Sequence, residues 1–149
     1  MEKENGGVVV PQEIVASSEE KKKSHRTLRQ LQVYRDVSNL KYMVVCTMNG
    51  APRRLAKYFD EILVTVSDAK KCIGMAEATH DVMERCVNLD VARVLVEDVT
   101  DDFVILEKLG TVGIKQMKGV KKMAQGIAAQ LIRWRDSETK RSQGININE

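Results

Sequence analysis

The sequence has few aromatic residues, only two prolines and only three cysteines. Aromatic residues make up 4% of the chain and its apolar residues are mainly Leu, Ile, Val, Met and Ala, which favours helices over a β-sandwich or barrel. Cys46, Cys72 and Cys86 are an odd number without short paired spacings, which argues against a disulfide framework and a zinc site. We therefore expect an all-α protein in a reducing compartment.

Long hydrophobic runs and export signals are missing as well. No apolar segment approaches the roughly 18 residues of a membrane-spanning helix, and acidic and polar residues precede the short VVV run near the N-terminus. The 149 residues suit one domain, and 43% hydrophobic residues can supply its core. We expect a single-domain cytoplasmic protein that does not bind membranes.

Residue groups that could catalyse a reaction are also missing. His25 and His80 have no neighbouring nucleophile pattern, and the adjacent Asp101 and Asp102 would point to different faces of one helix. No cluster of His, Cys, Asp or Glu has metal-ligand spacing, and the segment LGTVGIK lacks the pattern of a phosphate-binding loop. We expect no enzymatic activity, no cofactor and no metal.

Four segments carry apolar residues at steps of three and four, which places side chains on one face of an α-helix. The first covers residues 26–48 and ends at Asn49-Gly50, and the third covers residues 81–109 and ends at Gly110. The second, after Pro52, has the most regular apolar row, Leu55, Phe59, Ile62, Val66, Ala69, Ile73 and Ala76. The fourth covers residues 111–136, with the row Ile114, Met117, Val120, Ala124, Ile127, Leu131 and Trp134. These segments predict an antiparallel up-and-down four-helix bundle over residues 26–136, with flexible tails at 1–25 and 137–149.

Charge is distributed unevenly among the predicted helices. Residues 111–136 contain six basic residues and one acidic residue, whereas residues 80–109 contain eight acidic and three basic residues. An exposed basic surface attracts phosphate backbones. The alternatives are a merely solvated face, or lysines that pair with the acidic third helix of the same or a neighbouring subunit. The candidate nucleic-acid-binding residues are Arg53, Arg54, Lys57, Lys115, Lys118, Lys122 and Arg133.

Two features point to contacts beyond a single bundle. Gly119 and Gly126 are seven residues apart, hence on nearly the same helix face. Each should cost about 1 kcal/mol relative to alanine in a helix interior. Close approach of another helix, including one from a second subunit, would compensate; the alternative is that both glycines are simply tolerated. Leu63 and Leu95 widen the apolar surface of the second and third helices, so we expect a homo-oligomer.

The chain contains, in order, the segments QVYRDVSNLKYMV, NGAPRRLAKYFDEIL, NLDVARVLVEDVTDDFVILEKLGTVGIKQ and QLIRWRDS. Their order and spacing resemble the small four-helix-bundle family typified by Avd, the accessory variability determinant of diversity-generating retroelements. A related branch is encoded by intervening sequences in large-subunit ribosomal RNA genes. The resemblance covers about residues 31–137.

The resemblance implies a homopentameric barrel of four-helix bundles that associates with the retroelement reverse transcriptase and with template RNA. In that setting the polymerase makes error-prone complementary DNA at template adenines, and Avd is needed for the synthesis without being a polymerase. The alternative is a bundle of the ribosomal-RNA intervening-sequence type, which binds nucleic acid or assembles without a polymerase partner. The family offers no short binding motif to transfer, so the candidate basic residues depend on charge and helix phase.

Overall fold

The computed structural model describes residues 31–144, and among these it contains four α-helices and no β-strand. The helices are α1 (Gln32–Asn49), α2 (Ala56–Ala78), α3 (Val82–Lys108) and α4 (Ile114–Ser142), with a short 3-10 helix at Arg53–Leu55 before α2. The predictions of an all-α fold and of four helices are confirmed. The predicted N-terminal tail, residues 1–25, the predicted helical residues 26–30, and residues 145–149 of the predicted C-terminal tail lie outside the described part of the chain.

The helices form a bundle in which α1 and α3 each pack against both α2 and α4. Gln116 of α4 donates a hydrogen bond to Thr47 of α1 (2.7 Å), and Gln130 of α4 donates to Asp36 of α1 (2.7 Å). As the residue number rises along α4, the number of the hydrogen-bonded residue in α1 falls. These two helices therefore run antiparallel.

The other neighbouring helices are also antiparallel. Tyr58 at the start of α2 donates a hydrogen bond to Asp102 near the end of α3 (2.8 Å). Arg135 near the end of α4 forms an ion pair with Asp90 in the first half of α3 (2.9 Å). The starts of α2 and α4 therefore lie at the same end of the bundle, which we call the upper end, together with the ends of α1 and α3.

The core follows the predicted apolar rows closely. From Phe59 to Ala76, every predicted core position of α2 is buried, and in α3 the apolar residues at steps of three and four from Leu89 to Leu106 are buried as well. Each large side chain of this kind contributes roughly 1.5–3 kcal/mol by leaving water. The prediction is wrong for Ile114, which is 54% exposed because it is the first residue of α4 and lies at the edge of the bundle.

The predicted turn after the third helix is a left-handed glycine cap. Gly110 has a φ of 78°, its N–H donates to the carbonyl of Glu107 (3.0 Å), and the N–H of Thr111 donates to the carbonyl of Leu106 (2.9 Å). This pair of bonds satisfies carbonyls at the end of the helix, and glycine adopts the positive φ without a steric penalty. Val112 then packs inward, 5% exposed, and fixes the path into α4.

The fourth helix is longer than its apolar row predicts, since it continues beyond Asp136 to Ser142. Glu138 lies on the inner face of this extension, 4% exposed, and its Oε2 is 3.0 Å from a guanidinium nitrogen of Arg85. A charged residue at a core position hides the helical pattern from sequence analysis. Among the described helices, none has a window apolar enough to cross a membrane.

Candidate nucleic-acid interface

The outer face of α4 carries a row of positive charge, which the exposed Asp136 interrupts near the C-terminal end of the helix. Its cations, all exposed, are Lys115, Lys118, Lys122, Arg133 and Lys140, and we call them the basic ridge. Seen down the helix they lie opposite the buried residues Val120, Ala124, Ile127 and Leu131. At about 1.5 Å of rise per residue the ridge is roughly 37 Å long.

Contacts on both sides of α4 fix the rotation that turns the ridge to solvent. Gln116 and Gln130 hold one side of the helix against α1, through the hydrogen bonds to Thr47 and Asp36. Arg135 holds the other side against α3 through Asp90; this interaction raises the pKa of Arg135 above its ordinary value. The ridge therefore belongs to a helix that is held on both sides and, through its buried residues, on the face opposite the ridge.

The ridge cations do not pair with acidic residues inside the described chain. The ion pairs found there join Arg85 and Arg141 to Glu138, Arg93 to Glu97 and Arg135 to Asp90. None of them involves a ridge residue. Within the described part of one chain, pairing with the acidic third helix therefore does not account for Lys115, Lys118 and Lys122.

The other predicted candidates, Arg53, Arg54 and Lys57, are exposed at the upper end of the bundle. Pro52 is extended (φ −61°, ψ 145°) and starts the 3-10 helix that presents both arginines, and Lys57 follows in the first turn of α2. Because α2 and α4 are diagonal in the bundle, α1 and α3 lie between the two sets. The structure brings them to one end of the molecule but not to one face.

Negative charge borders the ridge on the side of α3. An open groove of about 230 Å³ runs between α3 and α4; its walls and floor are formed by Glu97, Thr100, Asp101, Lys121, Ala124, Gln125 and Ala128.

On the opposite, α2-facing side of α3, burial raises the pKa of Asp102. The negative charges of Asp98, Asp101 and Glu61 add to this effect, while the hydrogen bond from Tyr58 opposes it. Burial and Asp102 in turn raise the pKa of Tyr58 to about 12. A polyanion on the ridge would be repelled from α3.

The outer face of α3 is apolar in its first half. Its residues Met83, Val87, Val91 and Val94 are between 42% and 74% exposed, and we call them the α3 stripe. Leu63 and Leu95, which predicted additional apolar surface, are half-buried. In the first half of α3 the exposed apolar surface therefore lies on the stripe, on a helix face next to that of Leu95.

The sequence misses one member of the ridge and leaves the role of two glycines of α4 open. Lys140 belongs to the ridge, but it follows the predicted helix end at Asp136, and the buried Glu138 hides the continuation. The glycines lie along the same outer face, where an added Cβ at Gly119 would meet only Met43 Cε at 3.9 Å and one at Gly126 would meet nothing within 4 Å. No close contact within the described chain compensates for either glycine.

Metal-binding groups of three or more His, Cys, Asp or Glu residues do not occur among the described residues. A scan against models of known protein families gives no match for this chain. A search of curated proteins likewise finds no significant match.

Proposed function

We propose that this chain is a non-catalytic accessory protein of a diversity-generating retroelement, which binds the reverse transcriptase and template RNA and supports mutagenic complementary-DNA synthesis. The proposal rests on the resemblance to Avd and on one structural observation, the exposed basic ridge without acidic partners in the described chain. The segments that carry the resemblance lie in or between the helices of this chain: VYRD in α1, PRRLAKY before and into α2, the LG turn before α4, and QLIRW within α4.

The ridge supports RNA binding through phosphates. Lysines that neutralise phosphates release condensed counterions, so affinity is sequence-independent and falls steeply with salt. Assembly would place several ridges on one particle and increase the avidity for a long RNA. The α3 stripe supplies an apolar surface for such assembly, and the pentamer number comes from the resemblance alone.

Charge reversal tests the proposal. The triple variant Lys115→Glu, Lys118→Glu, Lys122→Glu should lose RNA association and complementary-DNA synthesis by a co-expressed retroelement polymerase, while far-UV circular dichroism and oligomer mass stay unchanged. The matched control is Arg35→Glu, Lys71→Glu, Lys108→Glu, which makes the same change in net charge at exposed positions off the ridge. The control should keep most of its RNA affinity.

Three outcomes separate the alternatives. Full RNA affinity in the ridge variant removes these lysines from the site. Loss of oligomer or thermal stability before any loss of RNA affinity means that they pair across subunits. RNA binding without association with the polymerase favours a bundle of the ribosomal-RNA intervening-sequence type, which has no polymerase partner.

A further inference from the structure

The aromatic side chains of this protein are almost all unavailable to nucleic-acid bases. Phe59 and Phe103 are fully buried, and Trp134 is half-buried. Tyr34 is half-buried with the ammonium of Lys70 at 5.1 Å from its ring centroid, and Tyr58 is half-buried and bonded to Asp102.

Tyr42, 69% exposed, is the single exposed aromatic among the six in the sequence, all of which lie in the described region. It lies on the outer face of α1, near Cys46 rather than the ridge, and a hydrogen bond with the Cys46 thiol raises its pKa. Proteins that hold single-stranded nucleic acid combine a basic groove with aromatic side chains on which bases stack, at roughly 1–3 kcal/mol per base. The ridge has the positive charge without the stacking surface.

The geometry of the ridge suits a rigid polyanion. Its cations are carried by a helix whose opposite face is buried, so the distances between their backbone positions are fixed along roughly 37 Å. A duplex offers fixed phosphate rows at high density, about one charge per 1.7 Å of axis in double-stranded DNA. A single strand would have to lose conformational freedom to follow a straight row, and no base stacking would offset that loss.

The two glycines between the ridge cations have no side chain, so the surface of the helix there is formed by its backbone. Gly119 and Gly126 are exposed on the same face and have almost no neighbours, so the helix backbone there is open to close approach. The connections between helices are short, at residues 50–55, 79–81 and 109–113, and provide no long loop that could enclose an unstacked base. For the part of the chain that the structure describes, contact is therefore restricted to the outside of a nucleic acid.

We infer that the basic ridge binds double-helical RNA through its phosphates and sugars, in preference to unpaired RNA. A-form RNA presents a wide, shallow minor groove lined by 2′-hydroxyls, which proteins recognise by shape and backbone contacts. A straight helix with cations and no stacking groups fits this mode. The inference rests on the proposed RNA-binding function and specifies the part of the template that the ridge would hold, namely its base-paired segments.

The test compares two RNAs of equal nucleotide number, a fully paired hairpin and an unstructured strand, titrated with the full chain at several salt concentrations. We expect the hairpin to bind at least about tenfold more tightly and with a steeper salt dependence. The slope of log K against log[salt] is about −0.9 per neutralised phosphate for double-stranded DNA and about −0.7 for single strands. The variant Lys115→Gln, Lys118→Gln, Lys122→Gln should reduce the hairpin slope by roughly three units, about one per lysine. Tyr42→Ala should leave both affinities unchanged.

The inference is overturned if the unpaired RNA binds as tightly as the hairpin, if the glutamine variant keeps its hairpin affinity while folded, or if Tyr42→Ala weakens binding to the unpaired strand selectively. Equal binding of both RNAs overturns the duplex preference but leaves the proposed RNA-binding function in place. Failure to bind either RNA overturns both. Preferential hairpin binding without association with the polymerase supports the inference and removes the polymerase from the proposed function.

Discussion

At the scale of single residues, the tightest constraint on the lower end of the bundle is the pair formed by Arg85 and Glu138. Arg85 donates to the carbonyls of Ala76 (2.7 Å) and Thr79, and its guanidinium lies 3.0 Å from Glu138 Oε2. One side chain thus connects the end of α2, the turn that follows, the start of α3 and the end of α4. The second carboxylate oxygen of Glu138 is buried without a hydrogen bond in the described structure, so the pair is incompletely satisfied.

Removing Arg85 should be severe. Breaking a buried ion pair by deleting one partner typically costs about 3–5 kcal/mol, because the other charge stays buried without compensation. We expect Arg85→Ala to destabilise toward the lower end of this range, because Arg141 remains 3.8 Å from Glu138 Oε2. Glu138→Ala should cost less, because Arg85 keeps its two carbonyl acceptors. The double variant should recover part of the loss. Urea unfolding followed by circular dichroism measures all three, and a loss below about 1 kcal/mol for Arg85→Ala would contradict this account.

The raised pKa of Asp102 predicts how the stability of the fold changes with pH. Its pKa is raised above the ordinary value of 3.8, chiefly by burial and also by Asp98, Asp101 and Glu61. The folded state therefore holds this proton more tightly than the unfolded state, and stability falls as the pH rises from the ordinary value through the raised pKa. Asp102→Asn keeps an oxygen that accepts from Tyr58 but carries no charge. We expect a higher melting temperature than wild type at neutral pH, with the difference shrinking below about pH 4; an equal gain at both pH values would refute it.

At the scale of elements, α2 shows how much of the fold follows from the sequence. Its apolar residues alternate by three and four with few competing apolar positions, so one helix phase is possible, and the predicted core residues from Phe59 onward are buried. The end of α4 could not be predicted in this way. Glu138 occupies a core position where Arg85 on another helix pairs with it at 3.0 Å, and such pairing across helices leaves no local pattern.

In the candidate site, too, the residues that depend on helix phase could be predicted, and those that depend on packing between helices could not. Helix phase predicts that Lys115, Lys118 and Lys122 share a face, and the structure places them there together with Arg133. Helix phase does not predict that Arg53 and Arg54, in the 3-10 helix before α2, are separated from the ridge, because this depends on the order in which the helices pack. Lys140 is missed because the helix end is missed.

The glycines of α4 allow a test at this scale. Both lie in the helix interior without positive φ, and an added methyl group meets at most Met43 Cε at an ordinary contact distance of 3.9 Å. Gly119→Ala and Gly126→Ala should therefore each stabilise the isolated chain by about 1 kcal/mol. Thermal and urea unfolding measure the gain. If RNA approaches the helix between the ridge cations, the same variants should bind hairpin RNA more weakly despite their higher stability.

At the scale of the whole molecule, the α3 stripe and the basic ridge lie on different helices and differ in character. The stripe is apolar and bordered by acidic residues such as Asp98 and Asp101, whereas the ridge is basic. If the stripe is covered by a second copy, the ridges remain available on the outside of the assembly. A contact between unlike faces closes into a ring when its rotation permits, as the pentamer implied by the resemblance to Avd requires.

The stripe can be altered without changing the charge. Val87→Gln combined with Val94→Gln replaces two exposed apolar side chains, 55% and 49% accessible, by neutral residues that favour helices. We expect full helical content and a monomer mass by light scattering at micromolar concentration. The salt dependence of the affinity of one ridge for a short hairpin should be unchanged. Affinity for an RNA long enough to reach several ridges should fall by about 10²–10⁴, because linked binding sites lose their effective concentration when they separate. If the double variant stays oligomeric, the subunits meet on another surface. If the wild type is itself a monomer, the stripe serves another partner, and a long RNA should gain no avidity.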